Sequence, residues 1–402
     1  MRQLLRSIAK AVALVPAFVT LVALRIVRHW IDVRLMVVGF HKFGHLALEP
    51  ELALLEIEAE ETLREGRNPK IITWWSFGPR RLRANSYLVD KWKQVLRTKP
   101  SWWLDALVRI GSRIPLLKLQ VPVLSIQRPM QQLSRTNSRL QFSFAETQSA
   151  IKELALIGVD IKKPFVCLVV RDDGHYGDVL LSDNPNFLSS NFDVEEFVAA
   201  SRALVDRGYQ VVRMGAGREK SLTDNHPGIF DYAKSEIRSP FLDVFLAANC
   251  AFAISTQTGP DAVSLLFRRP VCFIDIPIFS QFFFGTELAM WNPCTLIKDG
   301  VKISLDEIVS SEKVWAKYTH DLREQGIDGI RLTSQELTET VLAYATWYEN
   351  DFAFSTDDAE LIQCANDKIG AGMGAKGLVN FGQIRSRICP TYLSRNADWF
   401  LR

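Results

Sequence analysis

The sequence predicts an α/β protein in which two facing Rossmann-like domains follow an apolar N-terminal helix. Three observations lead there. Residues 250–254 and 271–276 are apolar runs of strand length, separated by a turn rich in hydroxyls and glycine and a helix-like segment, which is the pattern of a parallel βαβ unit. Residues 165–170 and 209–214 are further near-continuous apolar runs, as expected of strands covered on both faces. A chain of 402 residues is too long for one ordinary core and suggests two domains.

A composition of 48% hydrophobic and 23% charged residues fits a globular protein and argues against disorder or multiple membrane spans. The net charge is only +3, yet Arg2, Arg6, Lys10, Arg25, Arg28 and Arg34 gather near the start and Arg80, Arg81 and Arg83 follow. This placement favours an anionic surface or anionic substrates, and without a reading motif nucleic acid is not an expected partner. The six cysteines show neither metal-ligand spacing nor a disulfide framework, so no metal is expected and the chain reads as cytoplasmic.

Residues 11–24 are uncharged and bounded by Lys10 and Arg25. They fall short of the roughly 20 apolar residues of a spanning helix. A signal peptide is the next alternative, against which stand Arg25, Arg28 and the lack of a small-x-small cleavage site just before them. The expected arrangement is a helix lying on the cytoplasmic leaflet, attaching the protein peripherally to the inner face of the cell membrane; a short span and a buried first helix are the alternatives. Strand-like residues 33–40 then run into a loop containing His41, Lys42, Gly44 and His45, followed by a helix over 46–65 and a strand over 70–74. A loop at a sheet's carboxyl edge places His45 where an acceptor hydroxyl can be deprotonated, with Lys42 and Gly44 beside it. A helix is expected within 141–158 and a domain break at 160–164.

The strand at 165–170 discharges into Arg171 and Asp172, and a planar guanidinium there suits phosphate oxygens. The strand at 209–214 carries Arg213 and ends at Gly215; its lone Gly-x-Gly lacks the third glycine of a dinucleotide fingerprint, which excludes the oxidoreductase reading. Asp231, Ser235 and Arg238 lie in a charged loop before an apolar helix. Ser255, Thr256, Thr258 and Gly259 close the 250–254 strand, where small residues let backbone N–H groups approach a phosphate; the alternative is that Thr258 or Asp261 only caps a helix. Farther on, residues 303–308 and 334–349 read as helices, with Ser334 as N-cap of the second. The glycines within 370–377 suggest a hinge rather than a helix.

The order Arg171-Asp172, Arg213-Met214-Gly215, Asp231-Tyr232-x-x-Ser235-x-x-Arg238-Ser239 and Ser255-x-x-Thr258-Gly259 before Phe267-Arg268-Arg269-Pro270 resembles a bacterial family of surface-polysaccharide glycosyltransferases. More distantly, Thr258-Gly259-Pro260 is similar to the donor-phosphate loop of heptosyltransferase-like enzymes, which have the two-domain GT-B arrangement. The resemblance spans mainly residues 165–277. With the N-terminal half resting on architecture alone, the expected organisation is a membrane-associating helix (1–30), an acceptor-side domain (31–160), a nucleotide-sugar-binding domain (161–350) and a C-terminal segment (351–402) returning to the first domain. The resemblance implies sugar transfer from a nucleotide diphosphate to a polysaccharide or lipid-linked acceptor, without metal or other cofactor. Thr258 and Gly259 would hold the diphosphate, Arg171 and Arg213 would neutralise it, and Asp231 or Ser235 would contact the nucleoside. His45 would be the base, at a position where heptosyltransferases carry an Asp after a Gly. The aromatic run 278–284 would line or cover the donor cleft, the alternative being a core role for most of its Phe residues. A rival reading is a non-catalytic, membrane-attached module that binds a sugar nucleotide or glycan within a polysaccharide assembly complex.

Overall fold

A computed structural model describes residues 2–64, 69–117, 119, 130, 132–171, 192–215, 220–276, 286–310, 322, 324–375 and 387–400. Asp172 and the run 278–284 lie outside them. The chain divides into two compact units, residues 1–129 with 138–141 and residues 130–137 with 142–402. The break expected at 160–164 therefore falls inside the second unit.

The first unit contains α1 (Arg2–Ile26), β1 (Ile31–Val37), α2 (Phe43–Leu63), β2 (Lys70–Ser76), α3 (Ser86–Val95) and α4 (Ser101–Arg113). Strands β1 and β2 pair in parallel from Ile31↔Lys70 to Val37↔Ser76, so β1–α2–β2 is a βαβ unit. Among the described residues these two strands are the whole named sheet of this unit, smaller than the Rossmann-like domain expected there. Helix α2 begins earlier than expected, which puts Gly44 and His45 in its first turn rather than in a loop. A glycine in a helix costs about 1 kcal/mol relative to alanine. The apolar face formed by Leu46, Ala47, Leu52, Ala53, Leu55 and Ile57, all buried, outweighs it. Pro50 lies inside α2 and has no N–H to give the Leu46 carbonyl one turn back; that carbonyl instead accepts the Trp92 indole N–H from α3 at 3.1 Å. Helix α1 buries Ala17 and Leu21 against Leu104 and Leu107 of α4, while Val15 and Val19 face outward, 69% and 60% exposed. Among the described residues no helix is long and apolar enough to cross a membrane.

The second unit contains α5 (Phe144–Ala155), β3 (Phe165–Val169), α6 (Val198–Asp206), β4 (Gln210–Met214), β5 (Ile229–Phe230), α7 (Pro240–Asn249), β6 (Phe252–Ser255), α8 (Asp261–Leu266), β7 (Val271–Ile276) and β8 (Ala289–Pro293). There follow β9 (Thr295–Lys298), β10 (Val301–Lys302), α9 (Leu305–Ser310), β11 (Ile327–Ile330), α10 (Ser334–Glu349), α11 (Thr356–Ala375) and β12 (Arg387–Ile388). Seven strands form one parallel sheet in the order β12-β8-β7-β6-β3-β4-β5. From β3 the chain moves outward through β4 and β5, then returns to the other side of β3 at β6. That reversal is a topological switch point, where the two outgoing loops diverge and leave a crevice at the carboxyl edge. Strands β3, β4, β6 and β7 are buried along their whole length, because helices cover the sheet.

Three expectations are corrected. Thr333, not Ser334, caps α10, in a complete capping box with Glu336, whose side chain returns to the Thr333 N–H. The glycines at 370, 372 and 374 are helical in α11, whose apolar contacts at Ala365 and Ile369 offset their backbone entropy. The C-terminal segment belongs to the second unit, where β12 pairs with β8, satisfying backbone groups of the sheet's outer strand.

Phe252 opens β6 at the middle of this sheet, fully buried, with ring centroids 5.0 Å from Tyr344 and 5.2 Å from Tyr348 of α10. Phe252→Ala should destabilise the second unit by roughly 3–5 kcal/mol, read as the loss of chemical-denaturation stability monitored on that unit. A loss under about 1 kcal/mol would refute this account of the core.

Candidate functional site

The switch point is held by two backbone groups meeting one threonine. The Arg171 N–H, just past β3, donates to Thr256 Oγ1 at 3.0 Å, and the Thr256 N–H donates to the Val169 carbonyl at 3.2 Å. Thr256 thus extends the β3–β6 ladder one residue past β6 and fixes where both loops leave the sheet. Beyond it the loop is organised around the buried Asp261 carboxylate: Oδ2 accepts Ser255 Oγ–H and the Thr258 N–H, both at 2.6 Å. Ser255 Oγ in turn accepts the Gln257 N–H at 3.0 Å. Gln257 takes φ +65°, a left-handed conformation unusual for a residue with a Cβ, maintained by the bonds on either side of it.

These bonds change the sequence reading. The Thr258 amide is already given to Asp261, and α8 has six residues, so the loop is not a row of open amides at a helix terminus. What it leaves unspent among the described residues is the Thr258 hydroxyl, buried without a hydrogen-bond partner, and the Gly259 N–H. The hydroxyl's sequence signal was present; the occupied amide was not legible, because it depends on Asp261 turning back into the loop.

Arg213 and Asp231 are brought together, but with each other: Arg213 Nη1 lies 2.9 Å from Asp231 Oδ1, and Asp231 Oδ2 accepts the Leu222 N–H at 2.9 Å. With Arg213 1% exposed, this is an ion pair inside the sheet layer, and either group alone would carry an uncompensated buried charge. Ser235 Oγ–H donates to the Tyr232 carbonyl at 2.8 Å, a local turn bond. Arg238 donates to the Gly215 carbonyl at 2.8 Å and reaches Asp243 Oδ2 at 3.2 Å. Asp243 Oδ1 accepts the Tyr232 hydroxyl at 3.0 Å, and Ser239 caps α7. The 231–239 motif therefore braces the Gly215 loop against α7, a role for Arg238 that its spacing alone did not reveal.

In the first unit Lys42 is the N-cap residue of α2, and its N–H donates to the Gly39 carbonyl at 3.1 Å. His45 Nδ1 lies 2.7 Å from Glu49 Oε1 one turn along α2, and Glu49 Oε2 accepts the Gly39 N–H at 2.6 Å. A carboxylate fixed in this way accepts Nδ1–H and leaves Nε2 as the basic nitrogen, the arrangement by which a third group orients a general base. Gly39 permits the approach, since a Cβ there would come within 2.8 Å of the His45 Cβ. Glu49 was missed in the sequence, although its i+4 spacing from His45 was a usable signal once a helix is granted.

No protein-family model matches the sequence, and no curated protein matches it significantly. Solved structures do. The chain is similar to an Escherichia coli structure described as ADP-heptose LPS heptosyltransferase II, at 14% identity over 80% of this chain and all of that one, with a TM-score of 0.47. It is similar to a family 9 glycosyl transferase from Veillonella parvula at 11% identity over 80% of this chain and 98% of that one, TM-score 0.41. A third is the dodecameric iron-containing heptosyltransferase TibC in complex with ADP-D-beta-D-heptose, at 11% identity over 81% and 77%, TM-score 0.32.

Two buried acids flank the crevice. Burial pushes Asp261 from 3.8 up to about 6, opposed by the Ser255 hydroxyl, the Thr258 amide and the Arg171 charge. Burial pushes Asp275, at the end of β7, from 3.8 up to about 7, opposed by the Leu332 amide and Arg331 and reinforced by Glu336 and Glu196. Each native carboxyl therefore holds its proton to higher pH than the unfolded chain does. Their contribution to stability is complete below about pH 4 and is lost as pH rises through about 6 and 7. Displacing a midpoint by one pH unit is worth about 1.4 kcal/mol. Asp275→Asn, which still offers an oxygen to the Leu332 N–H, should flatten the fall in unfolding free energy between pH 4 and 7; a profile identical to the unmodified protein's would contradict the assignment.

Proposed function

We propose that the protein is a glycosyltransferase that moves a sugar from a nucleotide diphosphate to a surface-polysaccharide or lipid-linked acceptor. The observation that supports this reading is the switch-point crevice itself, where Thr256 ties the Arg171 loop to β6 while the Thr258 hydroxyl is buried and unspent among the described residues. In this reading Arg171 meets the diphosphate charge, and Thr258 Oγ–H and the Gly259 N–H hydrogen-bond its oxygens. Asp231 and Arg213 shape the floor as a neutralised pair, and the Gly215–Arg238–Ser235 segment borders the nucleoside. The C1–O bond to the departing diphosphate breaks as the acceptor oxygen bonds to C1, and the acceptor proton passes to a general base, the role carried forward for His45. Arginine charge takes the place of a metal at the leaving group.

We also assign the outward face of α1, with Val15, Phe18 and Val19 exposed and Arg25 and Arg28 following, to the anionic surface of the cytoplasmic leaflet.

Nucleotide sugars of several classes, incubated with the protein and membrane extract, should release nucleoside diphosphate. His45→Ala should lower kcat by about 10²–10⁴-fold while donor affinity stays within about twofold. Equal loss of both, or loss of neither, removes His45 from the mechanism, and donor binding without release across a broad acceptor panel replaces the enzyme with a binding module. Full-length protein should sediment with phosphatidylglycerol vesicles at low salt, and Val15→Asp with Val19→Asp should return it to the supernatant. Failure of the unmodified protein to sediment ends the membrane assignment.

A further inference from the structure

The arginines of the second unit differ in what they are already bonded to. Arg213 is taken by Asp231, Arg238 by Gly215 and Asp243, Arg268 by Thr136 and Asn137, and Arg269 by the Ala248 carbonyl. On the surface Arg202 pairs with Asp224 and Arg207 with Glu349.

Arg331, directly after β11, is half-buried and makes no hydrogen bond or ion pair among the described residues. Its guanidinium lies 4.3 Å from the centroid of the Phe192 ring. Such stacking holds the plane of the fork while leaving its N–H groups at the rim for another partner. The Phe192 N–H donates to the Arg171 carbonyl at 2.8 Å, so the platform under Arg331 is fastened to the loop that leaves β3 at the switch point.

The next residue is fastened too. The Leu332 N–H donates to Asp275 Oδ2 at 2.9 Å. Asp275 is 2% exposed, takes φ +49° where the β7–β8 register shifts, and keeps Oδ1 without a partner among the described residues. An unusual backbone conformation and an unsatisfied buried Oδ1 at one position both cost stability, while Oδ2 holds the Arg331–Leu332 segment to the end of β7.

We propose that Arg331 is a second cation of the donor site, stacked on Phe192 and engaging phosphate oxygens of the nucleotide diphosphate through its planar fork. This rests on the reading of the Arg171 and Thr258 loops as the donor site. Arg331 then adds to those loops a second guanidinium, one that makes no hydrogen bond or ion pair among the described residues.

The test is calorimetric titration of the full-length protein with UDP, GDP, ADP and inorganic pyrophosphate, comparing the unmodified chain with Arg331→Gln and Arg331→Lys after recording their unliganded melting. For whichever probe the unmodified chain binds most tightly, Arg331→Gln should weaken binding about tenfold or more, the loss expected for a charged hydrogen bond. Arg331→Lys, which keeps the charge but loses the fork, should recover only part of that. Undiminished affinity in Arg331→Gln overturns this inference and leaves the donor site standing; if that variant does not fold, unmodified affinity in Arg331→Lys does the same. Failure of the unmodified chain to bind any of the four probes overturns both.

Discussion

A single buried carboxylate sets the shape of the switch-point loop. Asp261 sits buried at the start of α8, which makes its charge expensive, and it recovers part of that cost from one hydroxyl and one amide of the residues just before it. Those same bonds bend the chain so tightly that Gln257 is pushed into the left-handed region. Thr256, one residue earlier, locks the bend to the neighbouring strand. The loop is therefore prepared in advance: its internal polar groups satisfy one another, and the Thr258 hydroxyl stays buried and unspent among the described residues. Preorganisation of this kind is what lets a site hold an anion without paying to reorder itself on binding.

The same logic separates the arginines whose donors the fold consumes from one whose donors it leaves available. Arg213 lies within β4, where both faces are covered, so it survives only by pairing with Asp231. Arg238 spends its donors drawing the Gly215 loop toward α7. A guanidinium consumed in this way adds little positive potential, since an acid lies within contact distance. Arg331, carried on an aromatic face instead of a carboxylate, keeps its donors available. The chemistry of recognition in this unit depends less on how many arginines reach the sheet edge than on what each of them is bonded to.

In the first unit the relevant constraint is a hydrogen-bond relay. The Gly39 amide fixes one oxygen of Glu49, and the other fixes the His45 ring, so the orientation of the imidazole is set by backbone at the end of β1. Because Pro50 follows directly, α2 gives up one internal bond one residue past Glu49, and the Trp92 indole restores it from α3. The helix can then carry both the His45–Glu49 pair and a proline.

The sequence by itself determined the parallel βαβ units and the strand ends near which the candidate residues lie. The reason is that long apolar runs can be satisfied only by burial on both faces, and their periodicity is local. It also marked Arg171, Thr258 and His45, whose types and positions after strands are visible without coordinates. Only the tertiary structure decided which polar groups are already partnered. The occupied Thr258 amide, the Arg213–Asp231 pair, the Glu49 support of His45 and the stacking of Arg331 on Phe192 join residues from 3 to 139 positions apart. Hydrogen bonds between such groups depend on distances of a few tenths of an ångström, which no pattern of residue types encodes. The C-terminal strand followed the same rule: two residues joined the sheet beside β8 because an edge with unpaired backbone groups was there to receive them.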